Sequence, residues 1–281
     1  MGGIGPGVLG LDADETTPVR IAHDPRLRAV QWRDLTRLKT PEVIRELTLS
    51  LPWLALSLFS ADRGLKVPAL AFSFMFFLAG LRQVHNAHHY ALGLSRRATE
   101  WVMFALSLLM LGSMHAVQIN HLRHHRYLMD EDDVEAISAR MKWWQALLFG
   151  PMFPVLLHWK AFSVGSARQL RWVRAELAAT FILVGAAWMF ASPHAFRYHV
   201  TAMLAGQCLT AFFAVWTVHH DCDRYHFIAR TVRSRIKNVV TLSMFFHVEH
   251  HLFPGVPTCH LDVVAQRLDA AAPELSRMRV F

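Results

Sequence analysis

Four stretches of this chain are long and apolar enough to cross a lipid bilayer, and no other feature limits its possible folds so strongly. They cover 43–61, 67–84, 173–191 and 200–218, each with few or no charges. A helix needs about 20 such residues to cross the hydrocarbon core. The whole chain is 53% hydrophobic and only 18% charged, which is greasier than an ordinary soluble domain. A large soluble helical enzyme would have to hide all four stretches from water inside 281 residues. The expected fold is therefore an all-α integral membrane protein with about four transmembrane helices.

Two further greasy stretches, 101–119 and 143–159, are weaker candidates. The second contains Pro151 and Pro154, which remove backbone donors and break a straight helix, so an interfacial or broken element is expected there. Residues 1–40 read as a polar arm and 41–281 as a single membrane domain, whose end, 221–281, forms a charged cytoplasmic cap. Near its end, "HLDVVAQRLDAAAPEL" has helical apolar spacing with Asp262 in the first turn, which predicts a short amphipathic helix.

The net charge is +8. The basic residues flank the spans, with Arg20, Arg26, Arg28, Arg33, Arg37 and Lys39 before the first and Arg224, Arg230, Arg233, Arg235 and Lys237 after the last. Arg63 and Lys66, between the first two spans, weaken the asymmetry. This pattern follows the positive-inside rule and puts both flanks in the cytoplasm, so nucleic acid is not an expected partner. The first residues are acidic and lack a basic-then-apolar run, so no secretory signal is read there. Three cysteines without a C-x-x-C pair give no zinc ribbon and no iron–sulfur motif.

Of 18 histidines, eleven fall into four knots. They are "HNAHH" (His85, His88, His89), "HLRHH" (His121, His124, His125), the pair His219 and His220, and "HVEHH" (His247, His250, His251). On a helix, positions i, i+3 and i+4 share one face, so each triplet can turn its imidazoles the same way. In the first knot the i, i+4 pair His85 and His89 ranks above His88. Imidazole suits iron, zinc, copper and nickel. Eight or nine converging rings exceed one four-coordinate zinc site and match two metals of higher coordination number. Neutral ligands keep such metals electron-poor, which suits oxidation of an unactivated C–H bond with O2. The lone His23, His158, His194, His199, His226 and His260 read as packing or interfacial residues.

One shared site needs every knot on one side of the membrane. A crossing helix over 101–119 would strand the second knot on the far side, so this stretch is expected to lie along the cytoplasmic face or to dip in and return. Gly112, Ser107, Ser113 and His115 are compatible with that. The acidic run "DEDDVE" follows the second knot. Asp130 and Asp133 read as solvated loop residues or as carboxylates that orient ligand histidines, Glu249 in either role, and Glu131, Asp132 and Glu135 as solvated.

The three boxes "HNAHH", "HLRHH" and "HVEHHLFP" resemble, in order and separation, those of the integral-membrane fatty acid desaturase superfamily. Its members include acyl-lipid desaturases and relatives that hydroxylate or ketolate carotenoids and other lipids. The resemblance spans about residues 40–265 and implies a di-iron, O2-dependent enzyme of the membrane. By matching position it implies His85, His89, His121, His124, His125, His247, His250 and His251 as iron ligands, with His219 or His220 as the additional histidine, His219 preferred. No asparagine stands one helical turn before that pair, and no fused His-Pro-Gly-Gly electron-carrier motif occurs. Electrons would come from a separate ferredoxin-, rubredoxin- or cytochrome b5-like carrier. The implied function is insertion of a double bond into a fatty acyl or lipid-like chain, with hydroxylation or ketolation as the alternative on the same ligands. The implied location is a bacterial inner membrane rather than the endoplasmic reticulum. A greasy tunnel for the substrate is expected among residues such as Phe74, Phe76, Phe77, Phe212 and Phe213. Readings from other classes are a membrane cytochrome with bis-histidine haem, whose histidines would sit mid-span, and a zinc-dependent membrane hydrolase.

Overall fold

The computed structural model describes residues 21–189, 194–225 and 227–273. The described chain is helical apart from one isolated bridge, Thr231 to Phe246. In order the helices are α1 (Pro25–Arg28), α2 (Thr40–Thr48), α3 (Leu51–Asp62), α4 (Lys66–His88), α5 (Arg96–Met110), α6 (Met114–Tyr127) and α7 (Trp143–Phe149). They continue as α8 (Met152–Val164), α9 (Ala167–Met189), α10 (His194–Gln207), α11 (Thr217–His219), α12 (Arg235–Val240), α13 (His247–Leu252) and α14 (Leu261–Ala271). A wide π-helical turn, Ala211–Trp216, joins α10 to α11.

Three helical segments are long and apolar enough to cross a membrane: Thr40–Asp62, which α2 and α3 form together, then α4 and α9. The fourth expected span is present but bent by 44° between α10 and the 211–219 segment. Neither weaker stretch is straight. The chain bends by 112° between α5 and α6 and by 65° between α7 and α8. By length and composition the described residues allow three to six crossings. Large apolar side chains face outward on these helices, among them Leu148, Trp159, Phe181, Ile182 and Met189. Such a surface is costly against water and natural against lipid.

Local chemistry makes the sharpest bend. Leu111 ends α5 in the left-handed conformation (φ 56°), and Ser113 caps α6 by accepting from the Ala116 amide. Beside it, buried Glu176 of α9 accepts from the Ser113 hydroxyl at 2.5 Å, the His115 amide at 3.2 Å and His115 Nδ1 at 2.6 Å. A buried carboxylate is tolerable only when its oxygens are paired, so this cluster pins the bend. The second bend falls at Gly150 and Pro151, where a Cβ on Gly150 would collide with the Cys208 carbonyl.

The end of the chain folds over one end of the bundle. Leu261, Val264, Ala265 and Leu268 of α14 form a core with Phe246, Val248, Phe253 and Val256. Ile21, Leu27 and Val30 complete it, so the stretch read as a polar arm is structured from Ile21 onward. Residues 1–20 lie outside the described residues.

A buried ion pair ties α2, α4 and this cap together. Arg82 Nη2 donates to Glu46 Oε1 at 2.5 Å and Nε to Oε2 at 3.1 Å, and Nη1 reaches the Leu242 carbonyl at 2.8 Å. Asn86, one residue after His85, donates to Glu46 and accepts from the Thr258 amide and hydroxyl. Removing one partner of such a pair leaves an uncompensated buried charge. Glu46→Ala should therefore lose about 3–5 kcal/mol of stability. The double variant Glu46→Ala/Arg82→Met should recover most of it. Thermal unfolding of both in detergent checks this, and equal losses would contradict it.

Candidate metal centre

The knots meet at the His88 end of α4, beside α6, α13 and the 211–219 segment. Two groups of imidazoles come within ligating distance of one another, His85, His89, His121 and His250 in one and His124, His219 and His251 in the other. Potential ligand atoms within each group lie no more than 4.8 Å apart. His125 joins the first group, with its Nε2 2.9 Å from His250 Nε2 and 3.3 Å from His121 Nε2. His247 joins the second, its Nε2 3.0 Å from His219 Nε2. The groups adjoin, and the His125 and His251 rings stack at 4.4 Å.

The helical spacing of each box accounts for the convergence. In α6, His121, His124 and His125 project from one face, and α13 presents His247, His250 and His251 in the same way. The 112° bend before α6 is what delivers the second box to the same end of the bundle as the other three knots.

Acceptors behind the rings fix which nitrogen points inward. His124 Nδ1 donates to Asp133 Oδ2 at 2.8 Å, His121 Nδ1 to Glu135 Oε1 at 2.9 Å and His219 Nδ1 to the Ile228 carbonyl at 3.2 Å. Held this way, each of these rings turns its Nε2 inward, where it offers a lone pair whenever the imidazole is neutral. The Nε2 atoms of His124 and His219 face each other at 3.0 Å, and His251 Nε2 lies 3.2 Å from the same His219 atom. A cation seated among these nitrogens would be ligated by all three. His85 Nε2 is buried without any hydrogen-bond partner. Burial, and then the charge of neighbouring imidazoles, holds His247, His250 and His251 well below the ordinary histidine pKa, so these rings are neutral at neutral pH.

Asp133 is the better built of the orienting carboxylates. Burial pushes its pKa up, and the charge and hydrogen bond of His124 with the Met129 and Ala136 amides bring it below the usual value. Three expectations need correction. Asp130 pairs with Arg224 at 2.9 Å and caps the Glu131 amide, so it orients no histidine. Glu249 pairs with Arg233 and Thr231, each at 2.7 Å. Glu135, read as solvated, holds His121. It opens a short 3-10 helix, Glu135–Arg140, that packs on the 211–216 turn. It lies in a separate helix, beyond the loop that follows Tyr127, so no periodicity relates it to His121 and its role had no periodic signal.

His220 stands apart from its neighbour. Its ring lies flat on Trp216 at 3.9 Å and its Nδ1 donates to the Trp216 carbonyl at 2.7 Å. His219 is the member of that pair at the centre. His88 is buried beside His121, with ring centroids 5.4 Å apart, and its Nε2 has no partner. It lines a cavity of about 60 Å³ with His85, His121 and His247. Among the lone histidines, His158 bonds the Pro154 carbonyl, His199 the Leu109 carbonyl and His260 the Leu35 carbonyl, as packing residues do. His226 lies outside the described residues.

An all-helical membrane protein with two adjoining nests of buried, inward-facing imidazoles belongs to a narrow class, that of histidine-box membrane proteins able to hold two metals. The chain matches the fatty acid desaturase family over residues 64–281, and it belongs to that family. No curated protein and no solved structure matches it.

Loss of a carboxylate behind a ligand typically weakens metal binding about 10–100-fold. Asp133→Asn and Glu135→Gln should each do so, whereas Asp130→Asn should not. Competition against a chelator measures this. A loss confined to Asp130→Asn would reverse the assignment.

Proposed function

We propose that this chain is an O2-dependent di-iron desaturase that inserts a double bond into an aliphatic, acyl or lipid-like chain. The observation that carries this reading is the convergence of inward nitrogens, with the Nε2 atoms of His124 and His219 only 3.0 Å apart, in a cluster of nine imidazoles without an acidic ligand among them. His85, His89, His121, His125 and His250 would hold one iron, and His124, His219, His247 and His251 the other. Two irons in this place would supply O2 activation and the removal of hydrogen from an unactivated carbon.

The side chains divide the remaining work. Asp133, Glu135 and the Ile228 carbonyl hold three rings in one tautomer, so the inner nitrogens are ready for metal before it arrives. Leu81, Val84, Phe153 and Val215 line the cavity beside His85 and exclude water from the reacting carbon. The balance of the reaction needs two further electrons. One O2 takes two hydrogens from the substrate and two electrons with two protons from a reductant, and leaves as two waters. The electrons come from a separate ferredoxin-, rubredoxin- or cytochrome b5-like carrier. The centre faces the cytoplasm in this reading, because the basic residues at 26–39 and 224–237 flank the end of the bundle where the knots gather.

Purified protein should hold two irons and show no haem Soret band. Expression in a bacterium with a compatible reductant, followed by lipid mass spectrometry, should give a product lacking two hydrogens. A product with one added oxygen would make the chain a hydroxylase, and turnover without O2 would overturn the reading. His121→Ala, His125→Ala, His247→Ala or His251→Ala should each abolish turnover and lower bound iron, and His23→Ala or His260→Ala should do neither.

A further inference from the structure

A second charged site lies on the seam between α5 and α9 and shares no residue with the histidine nests. On α5, Arg97, Glu100 and Trp101 stand at i, i+3 and i+4. On α9, Arg168, Arg171 and Trp172 repeat that spacing. Each helix therefore turns its charged groups and one indole to a single face. The two helices pack together, with Trp101 edge to face on Trp172 at 5.1 Å. All six residues line one open cavity of about 440 Å³. Trp172 is fixed from behind, because its ring stacks on His115, which Glu176 holds at 2.6 Å.

The charges in this cavity do not balance. Glu100 is buried and holds Arg168, whose Nη2 donates to both carboxylate oxygens, at 3.0 and 3.1 Å. Arg96 comes within 3.8 Å of the same carboxylate. Arg97 and Arg171 pair with no carboxylate among the described residues. Three guanidiniums thus share the cavity with one carboxylate, and the surplus is positive. Cations gathered in this way favour an anion, and the guanidinium fork matches phosphate in shape as well as in charge.

The surroundings say what kind of phosphate. The α9 helix is long and apolar enough to cross a membrane. Its first turns carry Arg168, Arg171, Trp172 and Arg174. About 20 Å beyond Arg168 along the helix axis, Phe181 and Ile182 are 80% and 69% exposed. Cations, then an indole, then bare apolar side chains is the order of headgroup, interface and acyl region through a bilayer. Phe104, one turn beyond Trp101, touches both indoles, with ring centroids at 5.6 and 6.2 Å. An aromatic surface therefore continues from the cavity toward acyl depth. A free phosphate has nothing to place on that surface, whereas a phospholipid has its glycerol and first methylenes.

We infer that this cavity binds an anionic phospholipid, with its phosphate on Arg97 and Arg171 and the first carbons of its chains on Trp101 and Trp172. A choline headgroup brings its own cation to these arginines, so a lipid of net negative charge is preferred. The bound lipid clamps α5 to α9 beside the bend that delivers the second histidine box. This inference is independent of the reaction proposed for the histidine centre.

The test uses the full chain purified in detergent. It is titrated with phosphatidylglycerol, with phosphatidylcholine of the same chains, or with inorganic phosphate, and native mass spectrometry counts the bound lipid. The first phosphatidylglycerol should be retained in preference to phosphatidylcholine. Arg97→Gln/Arg171→Gln should weaken it about 25-fold, from about fivefold for each cation, with phosphatidylcholine and bound metal unchanged. Arg171→Gln alone should give about a fivefold loss if the double variant fails to fold. Arg235→Gln/Lys237→Gln removes the same charge from exposed positions of α12 and should leave the binding unchanged. Equal retention of the two lipids, or an equal loss in the α12 variant, would overturn the inference. Displacement of phosphatidylglycerol by millimolar inorganic phosphate would overturn it too, and would make the cavity a site for free phosphate.

Discussion

Imidazole nitrogens buried and packed against one another are the constraint on which the rest of this structure depends. A neutral histidine avoids another acceptor at 3.0 Å, yet His124, His219, His247 and His251 crowd their Nε2 atoms together and bury them. Hydrogen bonds on the outer nitrogens, from His124 to Asp133 and from His219 to Ile228, prevent those rings from swapping tautomers to relieve the contact. A cation held by these nitrogens would satisfy them together, and its binding would then add to the stability of the fold.

Much of the chain can be understood as support for that end of the bundle. The 112° bend delivers α6, and the Glu176 cluster holds the bend. The Glu46–Arg82 pair and Asn86 lock the cap onto α4 beside His85 and His89. The cap core, which includes Ile21, Leu27 and Val30, seats α13 and its three histidines. These supports are polar where helices meet and apolar where the cap closes. That division keeps buried charges paired while excluding water from the rings.

The apolar helices and the boxes were legible in the sequence because each carries a local signature. A run of apolar residues fixes a length, and His-x-x-His-His fixes a face. The failure of 101–119 to run straight was legible too, because a shared site requires it, though the left-handed Leu111 that makes the bend carries no such signal. The orienting carboxylates were only half legible. Asp133 and Glu135 hold histidines, while Asp130 and Glu249 of similar appearance hold arginines, since pairing across loops depends on tertiary approach and not on spacing. The choice between His219 and His220 depended on ring direction at the end of a π-helical turn, which residue order does not set.

The measurement closest to the central claim is an anomalous difference map at the iron edge from crystals of the iron-loaded protein. Two peaks are expected, one among His85, His89, His121 and His250 and the other among His124, His219 and His251. A single peak, or iron bound at neither group, would contradict the account.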